Sequence, residues 1–257
     1  MDLQLVLVEP AGPLNIGSVA RLCANFGVAG LRLVAPRCDP EDPDALRMAM
    51  AGRPLLLAAE RYPHLAAALA DRSRVVACSG RGAGEPLPPL PPQQALPWLL
   101  QGLGATALVF GREDRGLSTD ELLQADRILA IPTPPGYASL NLSHAVAIVL
   151  HGLHSLSVTA SAAASVTTPP GPHALATGDG EPCPRGDLEA ALAAAETLLL
   201  EVGFLLPHTA RARMRKLRAL LQRAQPSGDE VALLRGMVAQ LRWASRHPHP
   251  GRIDPGP

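Results

Sequence analysis

A few polar side chains fall where they could do chemistry. Asn15 and Arg21 lie in Val8-Glu-Pro-Ala-Gly-Pro-Leu-Asn-Ile-Gly-Ser-Val-Ala-Arg21, which leaves a short apolar run and enters a helical pattern. Arg112 and Glu113 lie in Leu108-Val-Phe-Gly-Arg-Glu-Asp-Arg-Gly-Leu117, just past another apolar run. Ser139 and Asn141 lie in Ile131-Pro-Thr-Pro-Pro-Gly-Tyr-Ala-Ser-Leu-Asn-Leu-Ser-His144. There, consecutive prolines and a glycine force a loop before a helix begins. Amides, a hydroxyl, a carboxylate and guanidinium groups at strand and helix ends suit the binding of a small polar ligand. Arginine suits phosphate but is a poor base, because it stays protonated. Each residue also has a plainer reading. Asn15, Ser139 and Asn141 could cap helices. Arg112 and Glu113 could pair locally with Asp114 and Arg115, and Arg21 could be a surface cation.

The elements needed to position these groups are legible. Leu3–Val8, Leu31–Val34, Arg74–Cys78, Ala105–Phe110 and Ile128–Ile131 are short apolar runs, as expected for buried parallel strands. Helical spacing predicts helices over Asn15–Phe26, about Pro43–Ala51, His64–Ala70 and from about Leu142 onward. Strands alternating with helices imply an α/β fold with a mainly parallel sheet and a ligand at the carboxyl ends of the strands. Residues 80–97, rich in Gly and Pro, read as a loop. Residues 156–186 are dominated by Ser, Ala, Thr, Pro and Gly and read as a flexible linker. Three helices are expected in 187–246: Asp187–Phe204 with Asp187 as N-cap, Thr209–Arg223 and Asp229–Ala244. Residues 247–257 read as a loose tail.

Composition excludes several classes. The 257 residues carry 23 basic and 23 acidic side chains, so overall charge does not point to nucleic acid. Its distribution does: Arg211, Arg213, Arg215, Lys216 and Arg218 crowd one stretch without an acidic neighbour in sequence. That pattern favours a phosphate backbone over a merely solvated face. Aromatics are 3% of the chain, so base stacking is a weak expectation. The four cysteines show no metal-ligand spacing, so no metal is expected and a reducing, cytoplasmic setting fits. The chain shows no GxGxxG after its first strand and no GxxxxGK[ST], which disfavours an ordinary dinucleotide fold and a P-loop enzyme. No leader and no apolar run of about 18 residues is apparent, so no membrane span is expected.

Taken together and in order, the three polar stretches resemble those of the SpoU/TrmH class of SPOUT RNA 2′-O-ribose methyltransferases. Asn15, Gly17 and Arg21 match its N-x-G-x-x-x-R motif. Phe110-Gly-Arg-Glu113 with Gly116-Leu matches the second motif, and Ile131-Pro with Ser139-Leu-Asn-Leu-Ser143 the third. The resemblance covers residues 1 to about 155. Gly203-Phe-Leu, the basic run and Glu230-Val-Ala-Leu-Leu-Arg-Gly236 are similar to the C-terminal extension of the TrmJ-type tRNA methyltransferases.

The resemblance implies a SPOUT α/β knot, a deep trefoil at the end of a catalytic domain spanning 1–155, followed by a small helical region. It implies S-adenosylmethionine held by Cys78, Ser79, Gly80, Gly111, Arg112, Ile131, Ala138, Ser139 and Leu140. It gives Arg21, Asn15, Glu113, Ser139 and Asn141 catalytic roles, with Arg21 binding the target phosphate and activating the ribose hydroxyl. Arg21, Arg112 and the 211–218 cations would contact RNA. The implied reaction is 2′-O-methylation of tRNA at nucleotide 32 by a metal-free homodimer, with Arg21 of one subunit serving the cofactor of the other. Methylation of another tRNA or ribosomal RNA site, or RNA binding without catalysis, are the competing readings.

Overall fold

The computed structural model describes residues 2–80, 85–101, 104–134, 139–164 and 181–247. The chain divides into two units, Met1–Thr177 and Gly178–Pro257.

In the first unit the strands are β1 (Leu3–Val8), β2 (Gly30–Val34), β3 (Glu60–Tyr62), β4 (Arg74–Cys78), β5 (Pro89–Leu90), β6 (Thr106–Phe110) and β7 (Arg127–Leu129). Among the described residues they form one sheet in the order β3-β2-β1-β6-β4-β7-β5, with every pair parallel. The α/β expectation therefore holds. Side chains alternate across the sheet. Leu3, Leu5 and Leu7 of β1 enter one core with Leu31 and Leu33, while Val6 and Val8 enter the opposite core with Val34, Val75 and Val109. A strand buried on both faces is mostly apolar, which is why β1 reads as a hydrophobic run interrupted only by the half-buried Gln4.

The helices are α1 (Pro13–Asn25), α2 (Pro43–Ala49), α3 (Arg53–Leu57), α4 (Leu65–Leu69), α5 (Pro92–Leu99), α6 (Thr119–Leu122) and α7 (Leu142–Ala164). Helix α1 buries Ile16, Val19, Ala20 and Cys23. Burial of a large aliphatic side chain such as Ile16 or Val19 contributes about 1.5–3 kcal/mol. Gly17 is fixed by the α1–α2 contact: a Cβ there would collide with the Ala45 carbonyl oxygen. Helix α7 packs Leu142, Val146, Val149, Leu150 and Leu153 into the same core.

Several expectations are corrected. The segment 80–97 is not all loop, since it contains β5 and most of α5. Pro92 stands at the start of α5, where a missing N–H costs nothing. Burial of Ala95, Leu96, Trp98 and Leu99 overrides the presence of Pro97 within the helix. Residues 156–164 of the expected linker belong instead to α7, which continues to Ala164. Residues 165–180 and the tail from 248 lie outside the described residues. Against the expectation of no such run, Leu142–Thr159 is long and apolar enough by composition to cross a membrane. Its uncharged Ser and His positions break the apolar spelling without adding charge, and its buried stripe serves the core of this unit.

The second unit contains α8 (Arg185–Glu201), α9 (Pro207–Ala224) and α10 (Gly228–Arg246) around Leu188, Leu192, Leu205, Met214 and Val231. Asp187 lies inside the first turn of α8 rather than capping it, the N-cap being Pro184.

Candidate functional site

At the carboxyl ends of β4, β6 and β7 the chain leaves a cavity of about 390 Å³. Its lining includes Cys78, Ser79 and Gly80 at the end of β4, Gly111, Arg112 and Glu113 after β6, and Ile131, Ser139 and Leu140 after β7. Eight of the nine residues expected around a cofactor are thus brought together; the ninth, Ala138, lies outside the described residues. Phe110, Leu129, Leu142 and Ala145 add apolar walls. Gly111 allows the loop after β6 to fold back on itself, since a Cβ there would collide with the backbone of Gly116 and Leu117. Burial pushes the Cys78 thiol well above its ordinary range, so it is a neutral wall and not a nucleophile.

Glu113 ties this cavity to α1. Its carboxylate accepts the backbone N–H groups of Ala11 and Gly12, each at 3.2 Å, and the Asn15 Nδ2 at 3.2 Å. The N-cap of α1, Gly12, has no side chain to accept free N–H groups, and a carboxylate from a distant loop does that work with favourable charge at the helix start. Asn15 is therefore not a cap. It lies inside α1 and reaches outward. Its Oδ1 accepts Asn141 Nδ2 at 3.1 Å. Asn141 Oδ1 in turn accepts the Ser143 N–H at 2.9 Å and the His144 N–H at 3.4 Å, so Asn141, and not Ser139, caps α7. These bonds set both amide orientations: each Asn has one amide N–H engaged within the chain and one left for a ligand.

Arg112 behaves otherwise than expected. Its guanidinium forms a two-pronged pair with Glu121, at 2.8 and 2.9 Å, and also pairs with Glu9. Its side chain is 9% exposed. The hydrogen bond to Glu9, followed by that to Glu121, raises its pKa further. Both acids are held below the usual carboxylate range. For Glu9 the chief cause is the Arg112 hydrogen bond. For Glu121 burial opposes ionisation, and the hydrogen bonds from Arg112 and the Ser118 backbone together outweigh it. Arg112 is committed to internal carboxylates rather than to an RNA phosphate, and the anticipated pairing with Asp114 is replaced by these two acids. Glu9 itself has φ 46°, a sparsely populated conformation for a side chain other than glycine. Sequence reasoning missed both partners. Glu121 had a signal, the Ser118-Thr-Asp-Glu121 capping box seen at α6; Glu9 had none beyond ending a strand.

Arg21 is exposed on α1 and does not line the cavity of its own chain.

The profile of the SpoU rRNA Methylase family matches residues 2–151, and that of the tRNA methyltransferase TrmJ C-terminal domain matches 186–250. This chain belongs to the SpoU methylase family. A Klebsiella pneumoniae relative called tRNA (cytidine/uridine-2′-O-)-methyltransferase TrmJ is 35% identical, covering 95% of this chain and 98% of its own. A Pseudomonas aeruginosa relative called tRNA (cytidine/uridine/adenosine-2′-O-)-methyltransferase TrmJ is 32% identical, covering 95% of each. The crystal structure of TrmJ from Z. mobilis superposes with a TM-score of 0.77 at 31% identity, over 93% of this chain and 98% of that one.

In this SpoU methylase the expected RNA contacts of the second unit divide. Arg211, Arg213, Arg215 and Lys216 of α9 are exposed. Arg218 is bound through two 2.8 Å hydrogen bonds to Glu189 of α8, an acid that only folding brings near. Arg213 donates to the Phe204 carbonyl at 3.1 Å and lies 5.9 Å from that ring. Helical spacing puts Arg211, Arg215 and Arg218 on one side of α9 and Arg213 and Lys216 on another. The cations therefore flank the buried stripe instead of forming a single patch. Among the described residues no group of three or more His, Cys, Asp or Glu could hold a metal ion.

Proposed function

We propose that this chain transfers the methyl group of S-adenosylmethionine to a ribose 2′-OH of tRNA, at nucleotide 32 of the anticodon loop. The observation that carries the reading is the Glu113–Asn15–Asn141 chain of hydrogen bonds beside a cavity built by the three expected loops. Relatives of named tRNA 2′-O-methyltransferase activity over nearly the whole length support the substrate class. Their names differ in the bases accepted, so base preference is a matter for mapping modified nucleotides.

The cavity fits the cofactor. Its size lies within the roughly 300–1,000 Å³ range of small-ligand sites. Gly80, Gly111 and Gly116 leave backbone accessible, and Ile131, Leu129 and Leu142 supply apolar surface for a purine. Bound there, S-adenosylmethionine supplies a methyl group already activated on a sulfonium, chemistry that needs no metal.

The chain's own residues position and polarise. Glu113 holds α1 and the amide of Asn15. Asn15 and Asn141 each keep an N–H for ribose or phosphate oxygen. Arg21 binds the phosphate next to the target and, by its fixed positive charge, favours the ionised form of the hydroxyl; it does not accept the proton, which leaves to water as the oxygen is methylated. Because Arg21 stands outside its own chain's cavity, this reading needs a homodimer in which α1 of one subunit faces the cavity of the other. We further infer the trefoil knot of the family, a catalytic domain that takes in the first unit through α7 rather than ending at 155, RNA contact through the exposed α9 cations, and action in the cytoplasm. None of the four cysteines is in a disulfide, which fits that setting.

The test uses purified full-length protein with labelled cofactor. Labelling of tRNA and none of tRNA with a 2′-deoxyribose at nucleotide 32 is expected; labelling of the deoxy substrate refutes the site. Arg21→Ala should abolish transfer while cofactor binding, measured by calorimetry, stays near that of wild type. Full activity of that variant removes Arg21 from the account. A chain that binds tRNA but no cofactor would be an RNA-binding module.

A further inference from the structure

Helix α10 carries a face that nothing in its own unit covers. Leu233, Met237 and Leu241 recur every fourth residue and are 66%, 52% and 58% exposed. Beside them runs a second row, Ala232, Gly236, Gln240 and Ala244, all exposed. A Cβ at Gly236 would meet nothing within 4 Å. The helix already has a buried side. Val231 enters the core of the unit, and Arg242 donates to the Ala194 carbonyl at 3.2 Å. The two exposed rows therefore form an additional surface. Neither row holds a charged residue. Arg235 belongs to a different row, with Ala239 and Trp243, turned away from Met237.

We propose that this face pairs antiparallel with the α10 of a second copy of this chain, about a two-fold axis between Gly236 and Met237. The sequence is complementary to itself under that operation. Met237 of one copy meets Gly236 of the other, and Leu241 meets Ala232. At these positions a large side chain faces a small one, so ridges of one helix sit in the grooves of the other and the backbones approach closely. Leu233 meets Gln240, whose methylenes cover the leucine while its amide extends past it to water, as long amphipathic side chains do. Such a contact uses the same patch on both copies and closes on itself.

Charge selects the antiparallel direction. The exposed Asp229 and Glu230 open the helix, and the exposed Arg246, which also reaches Glu201 of its own chain at 3.3 Å, closes it. The same axis sets Asp229 opposite Ala244 of the second copy, within one turn of its Arg246. A parallel pair would instead place acid beside acid and align the helix dipoles unfavourably. A face without a charged residue is unsuited to a phosphate backbone, which calls for cations.

The test is independent of the proposed catalysis, since it needs neither tRNA nor cofactor. Arg235 is exposed on the opposite side of the helix and supplies the control position. In the full-length chain, Met237→Cys should be cross-linked between copies by a short bismaleimide far more than Arg235→Cys, with wild type setting the background of the native cysteines. Adding Leu233→Lys and Leu241→Lys to the Met237→Cys chain should abolish the cross-link while leaving the circular-dichroism spectrum unchanged. Equal yields for Met237→Cys and Arg235→Cys, or a cross-link that survives the lysines, overturn the proposal. So does Met237→Cys that resists a monofunctional maleimide equally at all dilutions, because the face is then covered within a single chain.

Discussion

Glu113→Ala tests the claim that a loop carboxylate starts helix α1. The carboxylate accepts from Ala11 N, Gly12 N and Asn15 Nδ2 at 3.2 Å each. A hydrogen bond to a charged group is worth about 1.5–3 kcal/mol. These bonds are partly or fully open to water, so about 0.5–1 kcal/mol each is the fitting scale, giving about 2 kcal/mol in total. For a unit of this size that lowers the melting temperature by about 4–8 °C. Glu113→Gln separates shape from charge. Oε1 receives Gly12 and Asn15, while Oε2 receives only Ala11, which also lies 3.4 Å from Oε1. A Gln oxygen placed at Oε1 keeps the bonds to Gly12 and Asn15, so its loss is about 0.5–1 kcal/mol. Thermal denaturation reads stability, and transfer of labelled methyl to tRNA reads function. Transfer should fall sharply in Glu113→Ala and partially in Glu113→Gln. If the two variants melt alike, or if Glu113→Ala melts with wild type, the carboxylate is not holding the helix.

Asn141→Ser retains a capping oxygen but breaks the link to Asn15, so it should melt within about 0.5 kcal/mol of wild type, whereas Asn141→Ala should lose about 1 kcal/mol; both should lose methyl transfer, and an active Asn141→Ser discards the amide link. Gly17→Ala forces α1 and α2 apart, costing about 1–3 kcal/mol against a helix-propensity gain of about 1 kcal/mol; a net rise in urea midpoint would show that α2 yields freely. Glu9 and Asp71 both have folded pKa values depressed, chiefly by hydrogen bonds from Arg112 and Arg32 respectively. Their contribution is present above their unfolded values, near about 4, and lost as pH falls through the folded ones. Glu9→Gln and Asp71→Asn should therefore narrow the difference in melting temperature between neutral and acid pH, and an unchanged difference contradicts the pairing.

The parts legible in the sequence were those where local spelling and final environment agree. Strands buried on both faces are mostly apolar, and β1, β4 and β6 are legible almost to the residue despite Gln4, Arg74 and Thr106 near their starts. The polar groups of the three loops were identifiable because they stand at strand and helix ends. What sequence could not supply were partners. Nothing near Arg112 points to Glu9, 103 residues away, and nothing near Arg218 points to Glu189. Helix α5 was hidden by its prolines, whose cost disappears at a first turn and is offset by burial further on. The α7 extension was hidden by a composition typical of linkers; Ser, Ala and Thr do not forbid a helix once its first turns are docked.

The amide–carboxylate chain joins residues separated by 98 and 126 positions. During synthesis the first helix emerges long before the loops that orient its asparagine. Until residue 141 has left the ribosome, Asn15 lacks the partner that fixes which way its amide points. A truncated first half, however well folded, could not hold this site in working order, and chain assembly itself delays the onset of activity.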